Sequence, residues 1–172
     1  MASRAVALPP PRNPSGPYRV CFVCLGNICR SPMAEVVARA QLAGAGLTRA
    51  VVVDSAGTGD WHIGAPMDPG ARAQLSHGGY DGEAHRARQF DPSWLADRDL
   101  VLAMDKSNFK TLKSSTITHD GDSSRIRLFG DVTGLAGADI PDPYLDAAEF
   151  AQVMEMIESA MPALIAQLKN VL

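Results

Sequence analysis

The chain of 172 residues carries 16 lysines and arginines against 19 aspartates and glutamates, a formal charge of −3. This length favours one domain with a single hydrophobic core. The acidic balance argues against a nucleic-acid-binding protein, whose binding face is usually basic. No apolar stretch approaches the ~20 residues of a membrane span, and the run before the first prolines is too short for a signal peptide. We therefore expect a cytoplasmic protein that binds neither nucleic acid nor a membrane.

Residues 1–17 differ in composition from the rest of the chain. They contain five prolines and few large apolar side chains. Such a segment buries too little apolar surface to offset the entropy lost on ordering. The composition therefore predicts a disordered proline-rich tail at 1–17 and a folded domain at 18–172. Weak binding of a partner through the tail is possible, but the tail is not expected to take part in chemistry.

The first half of the domain predicts two strands and two helices. Residues 20–23 form a short apolar, β-branched run that predicts a buried strand. Ser31 and Pro32 then suit a helix start, with a hydroxyl cap and a proline at the first helical position. A second apolar strand is predicted at 51–53, and Asp68 with the following proline begins the next helix.

The second half continues the same alternation. A short helix begins at Asp91, and residues 100–104 predict a third buried strand, followed by a helix that Asp105 can cap. Residues 114–124 are polar and predict a surface loop. A fourth strand is predicted at 126–129 from a weaker apolar pattern.

The last helix is the clearest element and completes the fold prediction. Asp146 and Glu149 suggest a capping box, apolar residues then recur at spacings of three and four, and Pro162 should bend the helix. Alternating strands and helices predict an α/β fold: a single-domain three-layer sandwich with a four-stranded parallel sheet flanked by helices. Ligands in this class bind beyond the carboxyl ends of the strands, which directs attention to the loop after the first strand.

That loop combines residue types suited to binding a phosphate. It runs from Cys24 to Ser31, and Arg30 follows the cysteine by six positions. Successive backbone N–H groups curled over a helix N-terminus form a positively polarised nest for an anion. The same field stabilises a thiolate, and the fork of an arginine pairs with two phosphate oxygens. An anion site and a nucleophile therefore coincide at Cys24.

Other residues of the loop suit the same purpose. Gly26 and Asn27 are residue types that readily accept a positive φ, which a curled loop demands. The hydroxyl of Ser31 can donate a hydrogen bond to the Cys24 sulfur. A buried cysteine is more often a small hydrophobic residue than a nucleophile, and this reading is favoured for Cys21.

Displacement of a phosphoester by a thiolate also needs an acid to protonate the leaving oxygen. The best candidate is Asp142, which stands between Pro141 and Pro143 just before the last helix. Tyr144 places an aromatic side chain beside it. An Asp-Pro-Tyr string alone is as often a simple turn, so the assignment depends on the cysteine loop.

At these residues the chain resembles the low-molecular-weight protein tyrosine phosphatase family. Residues 23–32 are similar to the family's N-terminal signature, and further landmarks follow in the family's order, at 55–58 with Trp61, 85–89, 104–105 and 142–144. The likeness covers about residues 18–170. It implies the same four-stranded parallel fold and the hydrolysis of phosphotyrosine-containing protein substrates without a metal or a cofactor.

The resemblance also implies the roles of three residues. Cys24 is the expected nucleophile, which forms a phosphocysteine intermediate. Arg30 binds the phosphate and stabilises its equatorial oxygens in the transition state. Asp142 protonates the leaving tyrosine oxygen and then acts as the base for the hydrolytic water. These are the catalytic residues that the resemblance predicts.

The remaining family positions bind the substrate or support the loop. The substrate contacts are expected at Leu25, Gly26, Asn27, Ile28, Cys29, Ser31, Trp61 and Tyr144. Trp61 and Tyr144 would form the walls of the crevice that holds the phenyl ring. The alternative interpretation is that these two side chains pack in the core. Ser55 and His85 would hold the loop by hydrogen bonds together with Asn27 and Ser31. Cys29 matches a second loop cysteine that pairs reversibly with the nucleophile under oxidation.

Two alternatives stay open beside phosphotyrosine hydrolysis. Arginine phosphatases of the same family resemble this loop with a small polar residue where Ile28 stands, and the apolar Ile28 favours an aromatic phosphoester. A non-catalytic phosphate-binding module would normally lose the nucleophile, the arginine or the acid, and all three candidates are present. Arsenate reductases need further cysteines, and the chain has none after Cys29. The chain departs from the family pattern at Leu145, which stands where many relatives carry a second aromatic residue.

Overall fold

The structure, a computed structural model, describes residues 7–117, 122–144 and 146–172. Four parallel strands form one sheet in the order β2-β1-β3-β4. The strands are β1 (Tyr18–Cys24), β2 (Val51–Gly57), β3 (Leu100–Ala103) and β4 (Ile126–Leu128). The α-helices are α1 (Arg30–Gly44), α2 (Pro69–His77), α3 (Lys106–Thr116), α4 (Phe129–Val132) and α5 (Glu149–Val171), with short 3-10 turns at Pro92–Ala96 and Ser123–Arg125.

β1 is a central strand, and its side chains alternate between two hydrophobic cores. Val20 and Phe22 belong to the larger core, which buried residues of α1 and α5 complete. Cys21 and Val23 belong to the smaller core on the opposite face, together with Leu112 of α3. Helices therefore cover both faces of the sheet, as right-handed crossovers between parallel strands require. The predicted three-layer α/β sandwich is confirmed.

The long helix α5 closes the larger core with a continuous apolar face. Its most buried residues are Val153, Ile157, Met161, Leu164 and Leu168, each at most 1% exposed. Burial of such a side chain stabilises the fold by about 1.5–3 kcal/mol. Pro162 lies within the helix without ending it. None of the helices in the described parts of the chain, α5 included, is long and apolar enough to cross a membrane.

The carboxyl ends of the strands meet at one edge of the sheet. Cys24 at the end of β1 is paired in register with Gly57 of β2, and Val23 is paired with Ala103 of β3. The segments that follow these three strands therefore emerge side by side. This edge is where the fold class places its ligand sites.

The predicted start of the first helix is wrong by two residues, with a consequence for the site. α1 begins at Arg30, and its N-cap is Cys29 rather than Ser31. Ser31 is free of capping because its hydroxyl turns inward, toward the sulfur of Cys24 and the carbonyl of Ala56. The Ser31 side chain therefore lies buried behind the loop, in the first turn of α1, instead of capping the helix.

Two later boundaries also differ from their predictions. α5 begins at Glu149 without a side-chain cap, because the carboxylate of Asp146 accepts a hydrogen bond from the backbone N–H of Ala148 in a turn before the helix. The predicted loop 114–124 is helical at its start, since α3 continues to Thr116, which is buried. Within that predicted loop, residues 118–121 lie outside the described residues.

Residues 7–17, hereafter the N-terminal strap, do not form the disordered tail that their composition predicts. Leu8 is buried in the larger core, and the Tyr18 hydroxyl donates a hydrogen bond to a backbone carbonyl of the strap. The backbone N–H of Arg12 donates to the buried carboxylate of Asp99 at 2.7 Å. The strap is therefore part of the folded domain.

Two arginines of the domain hold the other end of the strap. Arg125 donates to the carbonyl of Pro10 at 2.8 Å, and Arg127 donates to the carbonyl of Ala7 at 3.0 Å. Composition misled the prediction because prolines already restrict the unfolded backbone, so fewer contacts suffice to order them. The rest of the predicted tail, residues 1–6, lies outside the described residues.

Candidate active site

Residues 24–30, hereafter the phosphate loop, connect β1 to α1 and have anchored backbone carbonyls. The carbonyls of Cys24, Leu25 and Ile28 accept hydrogen bonds from the backbone N–H groups of Thr58, Gly59 and Asp68, each at 2.9 Å. Among the described residues, none accepts a hydrogen bond from the backbone N–H groups of residues 25–29. Carbonyls fixed by surrounding segments and unpaired N–H groups are the arrangement of an anion-binding nest.

Asn27 is the internal support of the phosphate loop, and every polar group of its side chain is paired. Its amide nitrogen donates to the hydroxyls of Ser31 at 2.8 Å and Ser55 at 2.9 Å. Its amide oxygen accepts from the backbone N–H of Arg88, and its backbone carbonyl accepts from Nε2 of His85 at 2.7 Å. With a φ of 57°, Asn27 holds the left-handed conformation that turns the loop.

The partners of Asn27 are themselves fixed. Burial lowers the pKa of His85, and this effect outweighs the opposing influence of the Asn27 carbonyl and Glu35. A neutral imidazole therefore donates to the loop. The hydroxyl of Ser55 donates to the Glu35 carboxylate at 2.7 Å, and Arg39 donates to the same carboxylate at 2.6 Å. The support thus extends from the loop into α1.

Two glycines of the site are needed because neighbouring groups approach their Cα atoms closely, and not because their backbone has a positive φ. The prediction of a positive φ at Gly26 is wrong, because only Asn27 of this pair is left-handed. A Cβ at Gly26 would instead meet the ring of His62 at 2.9 Å. A Cβ at Gly57, the last residue of β2, would lie 2.7 Å from the carbonyl oxygen of Leu25. The loop therefore lies directly against Gly57, and His62 lies directly against Gly26 of the loop.

The sulfur of Cys24 lies 3.0 Å from the hydroxyl oxygen of Ser31. Because Asn27 donates to this oxygen, the hydroxyl proton of Ser31 is free to point at the sulfur or at the carbonyl of Ala56, 3.2 Å away. A hydroxyl that can donate to sulfur stabilises a thiolate over a thiol. The arrangement matches the contact that the sequence predicts.

Arg30 is buried beside the loop with one edge of its guanidinium anchored. Its Nη1 donates to the Asp105 carboxylate at 2.6 Å and to the carbonyl of Ile140 at 3.0 Å. Burial lowers its pKa, but the charges of Cys24, Asp105 and Asp142 outweigh burial, and the pKa is raised overall. Its buried Nε has no partner among the described residues. Arg30 therefore stays positively charged, and one of its guanidinium N–H groups remains without a partner among the described residues.

The other two cysteines are unsuited to act as the nucleophile. Burial, together with the charges of Asp68, Cys24 and Asp142, raises the pKa of Cys29 far above its ordinary value. Burial also raises the pKa of Cys21, which lies in the smaller core. Both remain protonated thiols near neutral pH, and only Cys29 borders the same pocket as Cys24.

Residues 140–144, hereafter the acid segment, contribute Asp142 and Tyr144 to the lining of the pocket that Cys24 borders. The backbone N–H of Ile140 donates to the carbonyl of Met104 at 2.9 Å. Asp142 is 42% exposed, lies 3.4 Å from Nη2 of Arg30, and accepts a hydrogen bond from the backbone N–H of Tyr144. Its neighbour Leu145 lies outside the described residues. A carboxyl group therefore borders the same cation that faces the loop.

The phosphate loop and the acid segment enclose a pocket of about 400 Å³. Its lining comprises Cys24, Leu25, Gly26, Ile28, Cys29, Arg30, Trp61, His62, Asp142 and Tyr144. Trp61 is 68% exposed and Tyr144 is 51% exposed, so the alternative of core packing does not hold for either residue. Of the predicted substrate contacts, Asn27 and Ser31 lie behind the loop, where their side chains support it.

The sequence analysis does not predict the roles of three residues of the site. Glu35 supports Ser55, Asp105 anchors Arg30, and His62 lines the pocket. The sequence predicts Asp105 as the cap of α3, which it is through its other carboxylate oxygen, and includes it in the family landmark at 104–105, but does not predict its contact with Arg30. Within the parts of the chain that the structure describes, no cluster of three or more histidines, cysteines or carboxylates could hold a metal ion.

The chain as a whole is similar to proteins of a known family. The family model for low molecular weight phosphotyrosine protein phosphatase matches residues 19–171. A low molecular weight protein-tyrosine-phosphatase of Streptomyces coelicolor is 46% identical over 157 residues, which cover 89% of this chain and 94% of that protein. Low molecular weight protein-tyrosine phosphatase A of Mycobacterium tuberculosis is 42% identical over 154 residues, 87% of this chain and 91% of that protein.

A solved structure agrees with these relatives. The crystal structure of YfkJ from Bacillus subtilis superposes with a TM-score of 0.84 at 36% identity and covers 92% of this chain and 98% of that one. The chain belongs to the low-molecular-weight protein tyrosine phosphatase family.

Proposed function

We propose that Cys24, Arg30 and Asp142 carry out the hydrolysis of phosphotyrosine in protein substrates in two steps. The observation that supports this assignment is the phosphate loop, which lines the pocket beside Cys24 and whose backbone N–H groups at residues 25–29 have no acceptor among the described residues. Arg30 lines the same pocket, and its Nε is a charged donor with no partner among the described residues. A phosphate dianion would meet donors already in place, so little reorganisation accompanies its binding.

In the first step the Cys24 thiolate attacks the phosphorus atom. An S–P bond forms while the bond from phosphorus to the tyrosine oxygen breaks, and Asp142 gives its proton to that oxygen. The product is a phosphocysteine and a free tyrosine. Ser31 stabilises the thiolate before attack, and Arg30 holds the equatorial oxygens as their charge changes.

In the second step water replaces the sulfur. The Asp142 carboxylate takes a proton from water, whose oxygen attacks the phosphorus, and the S–P bond breaks. Inorganic phosphate leaves and the Cys24 thiolate is regenerated. Neither step requires a metal or a cofactor. A cytoplasmic location suits this reaction because the thiolate must stay reduced.

The pocket walls favour an aryl phosphate. Trp61 and Tyr144 present exposed aromatic side chains at the mouth, and Ile28 adds an apolar side chain to the lining. A phenyl ring bound between them buries apolar surface that a shorter aliphatic phosphoester lacks. The predicted preference is therefore phosphotyrosine over phosphoserine.

The test is hydrolysis of 4-nitrophenyl phosphate in the presence of EDTA. The native protein should turn over, and Cys24→Ser should lose all measurable activity. Cys21→Ala is the matched control, since it removes another buried cysteine of the same strand and should retain activity. Absence of turnover by reduced, folded native protein would instead favour the non-catalytic binding module.

A further inference from the structure

His62 lies in the turn between β2 and α2 and reaches both sides of the pocket. Its ring lies on the backbone of the phosphate loop, so closely that a Cβ at Gly26 would stand 2.9 Å from its Cδ2 atom. On its other side the ring faces Tyr144, with centroids 5.8 Å apart and planes inclined by 55°. His62 thus connects the loop to the acid segment.

The acid segment has few other attachments. Before Asp142, Ile140 is held by hydrogen bonds to Met104 and Arg30. Beyond Pro141, the hydrogen bonds, ion pairs and ring contacts found among the described residues join the segment to other parts of the fold only through Arg30 and His62. The remaining bonds of this stretch run to its immediate neighbours.

We propose that His62 is a positioning residue that, through Tyr144, holds Asp142 where it can protonate the leaving oxygen. The inference rests on the proposed role of Asp142 as the acid. Asp142 and Tyr144 are joined by a hydrogen bond from the Tyr144 N–H to the Asp142 carboxylate, so a shift of the aromatic ring moves the carboxyl group. Arg30 alone would pull the carboxylate toward the phosphate and away from the leaving group.

Leaving groups of different quality separate this role from that of a simple pocket wall. A phenolate without substituents needs its proton during bond cleavage, whereas the nitro group of 4-nitrophenolate already stabilises the departing charge. Loss of acid catalysis therefore slows phenyl phosphate more than 4-nitrophenyl phosphate. Loss of a wall weakens the binding of both substrates to a similar degree.

The experiment measures kcat/KM for both substrates and compares their ratio, phenyl over 4-nitrophenyl. General acid catalysis contributes roughly 10²–10⁴-fold, and we expect His62→Ala to lower the ratio by about tenfold as the acid loses its position. His62→Gln removes the ring but keeps most of the volume, and it should lower the ratio to a similar degree. It replaces the alanine variant in the experiment if that variant folds poorly. His62→Phe restores the ring contact and should return the ratio to near the native value.

Asp142→Asn distinguishes the two layers of the argument. It should lower the ratio further than His62→Ala, and the double variant should match Asp142→Asn alone. If Asp142→Asn lowers the ratio while the His62 variants do not, the positioning role is wrong and the acid stands. If Asp142→Asn leaves the ratio unchanged, the acid assignment fails and the role of His62 falls with it. A Phe variant as defective as Ala would also overturn the proposal.

Discussion

The phosphate loop and the acid segment face each other across one pocket but are built in opposite ways. Most of the loop is buried, although Leu25 is 43% exposed, and Asn27 alone connects it to four other residues by hydrogen bonds. In the acid segment, Asp142 is 42% exposed and has its cross-pocket contact only through Arg30 among the described residues. The loop must present fixed donors to a developing charge, whereas the acid must deliver a proton and then let product leave. The phosphate loop is thus held by many contacts and the acid segment by few, in agreement with these two tasks.

The largest effect should follow from changing the donor that both regions share. Arg30→Lys keeps the charge but loses the planar fork that reaches Asp105 and the phosphate at once. We expect kcat/KM to fall by roughly a thousandfold, as when a preorganised donor is removed from an oxyanion site. Steady-state kinetics with 4-nitrophenyl phosphate measure this, with the exposed Arg72→Lys as the control. A loss below tenfold would mean that charge alone is sufficient.

Oxidation should affect the loop side and be reversible only while Cys29 is present. Peroxide converts the Cys24 thiolate to a sulfenic acid, and the Cys29 thiol then attacks this sulfur, forms a disulfide and releases water. Native protein should regain its activity with dithiothreitol, whereas in Cys29→Ala peroxide should oxidise the sulfenic acid further to a sulfinic acid, and the loss should be permanent. Recovery assays and mass spectrometry of the oxidised protein provide the measurement. Equal recovery in both proteins would contradict this role for Cys29.

Stability should distinguish the loop from the acid segment directly. Asn27→Ala removes a residue suited to a positive φ and leaves buried partners unpaired, so the free energy of unfolding should fall by about 2–4 kcal/mol. Tyr144→Ala, on the exposed side, should change it by less than about 0.5 kcal/mol. Urea unfolding of both variants measures the difference. Similar losses in the two would show that the acid segment is as firmly held as the loop.

The N-terminal strap provides a third region, which should matter for stability but not for chemistry. Deletion of residues 1–17 removes the buried Leu8 and the hydrogen bonds of Arg12. The expected cost is about 3 kcal/mol, whereas kcat/KM should be unchanged at temperatures where the protein is folded. Thermal unfolding and kinetics on the same sample separate the two effects. A large loss of kcat in folded protein would place the strap in the active site.

The smallest effect concerns the pH dependence of the loop support. The pKa of His85 is lowered in the folded protein, so the unfolded chain binds a proton more readily there. Stability should therefore decline as the pH falls below about 6.5, the ordinary pKa of histidine. His85→Gln keeps a donor for the Asn27 carbonyl without titrating, and its Tm should fall less between about pH 7.5 and pH 5. An identical pH dependence in the two proteins would exclude His85 as its source.

Local chemistry in the sequence determined much of the site. The strand, the cysteine loop and the arginine are adjacent in sequence, so their spacing alone predicted an anion site with a nucleophile. Asp142 required the resemblance, because an Asp-Pro-Tyr string is ambiguous by itself. Asp105 was predicted as a helix cap, but its ion pair with Arg30 joins residues 75 positions apart.

The sequence by itself determined the order of strands and helices, the buried apolar faces and the place of the proposed phosphate loop, because each follows from short-range periodicity and backbone chemistry. Only the tertiary structure decided that residues 7–17 belong to the domain, that Ser31 turns inward and that His62 bridges the pocket. Each of these depends on contacts between distant segments, such as Arg12 with Asp99 and His62 with Tyr144. Composition and local spacing do not indicate which distant side chains the sheet brings together.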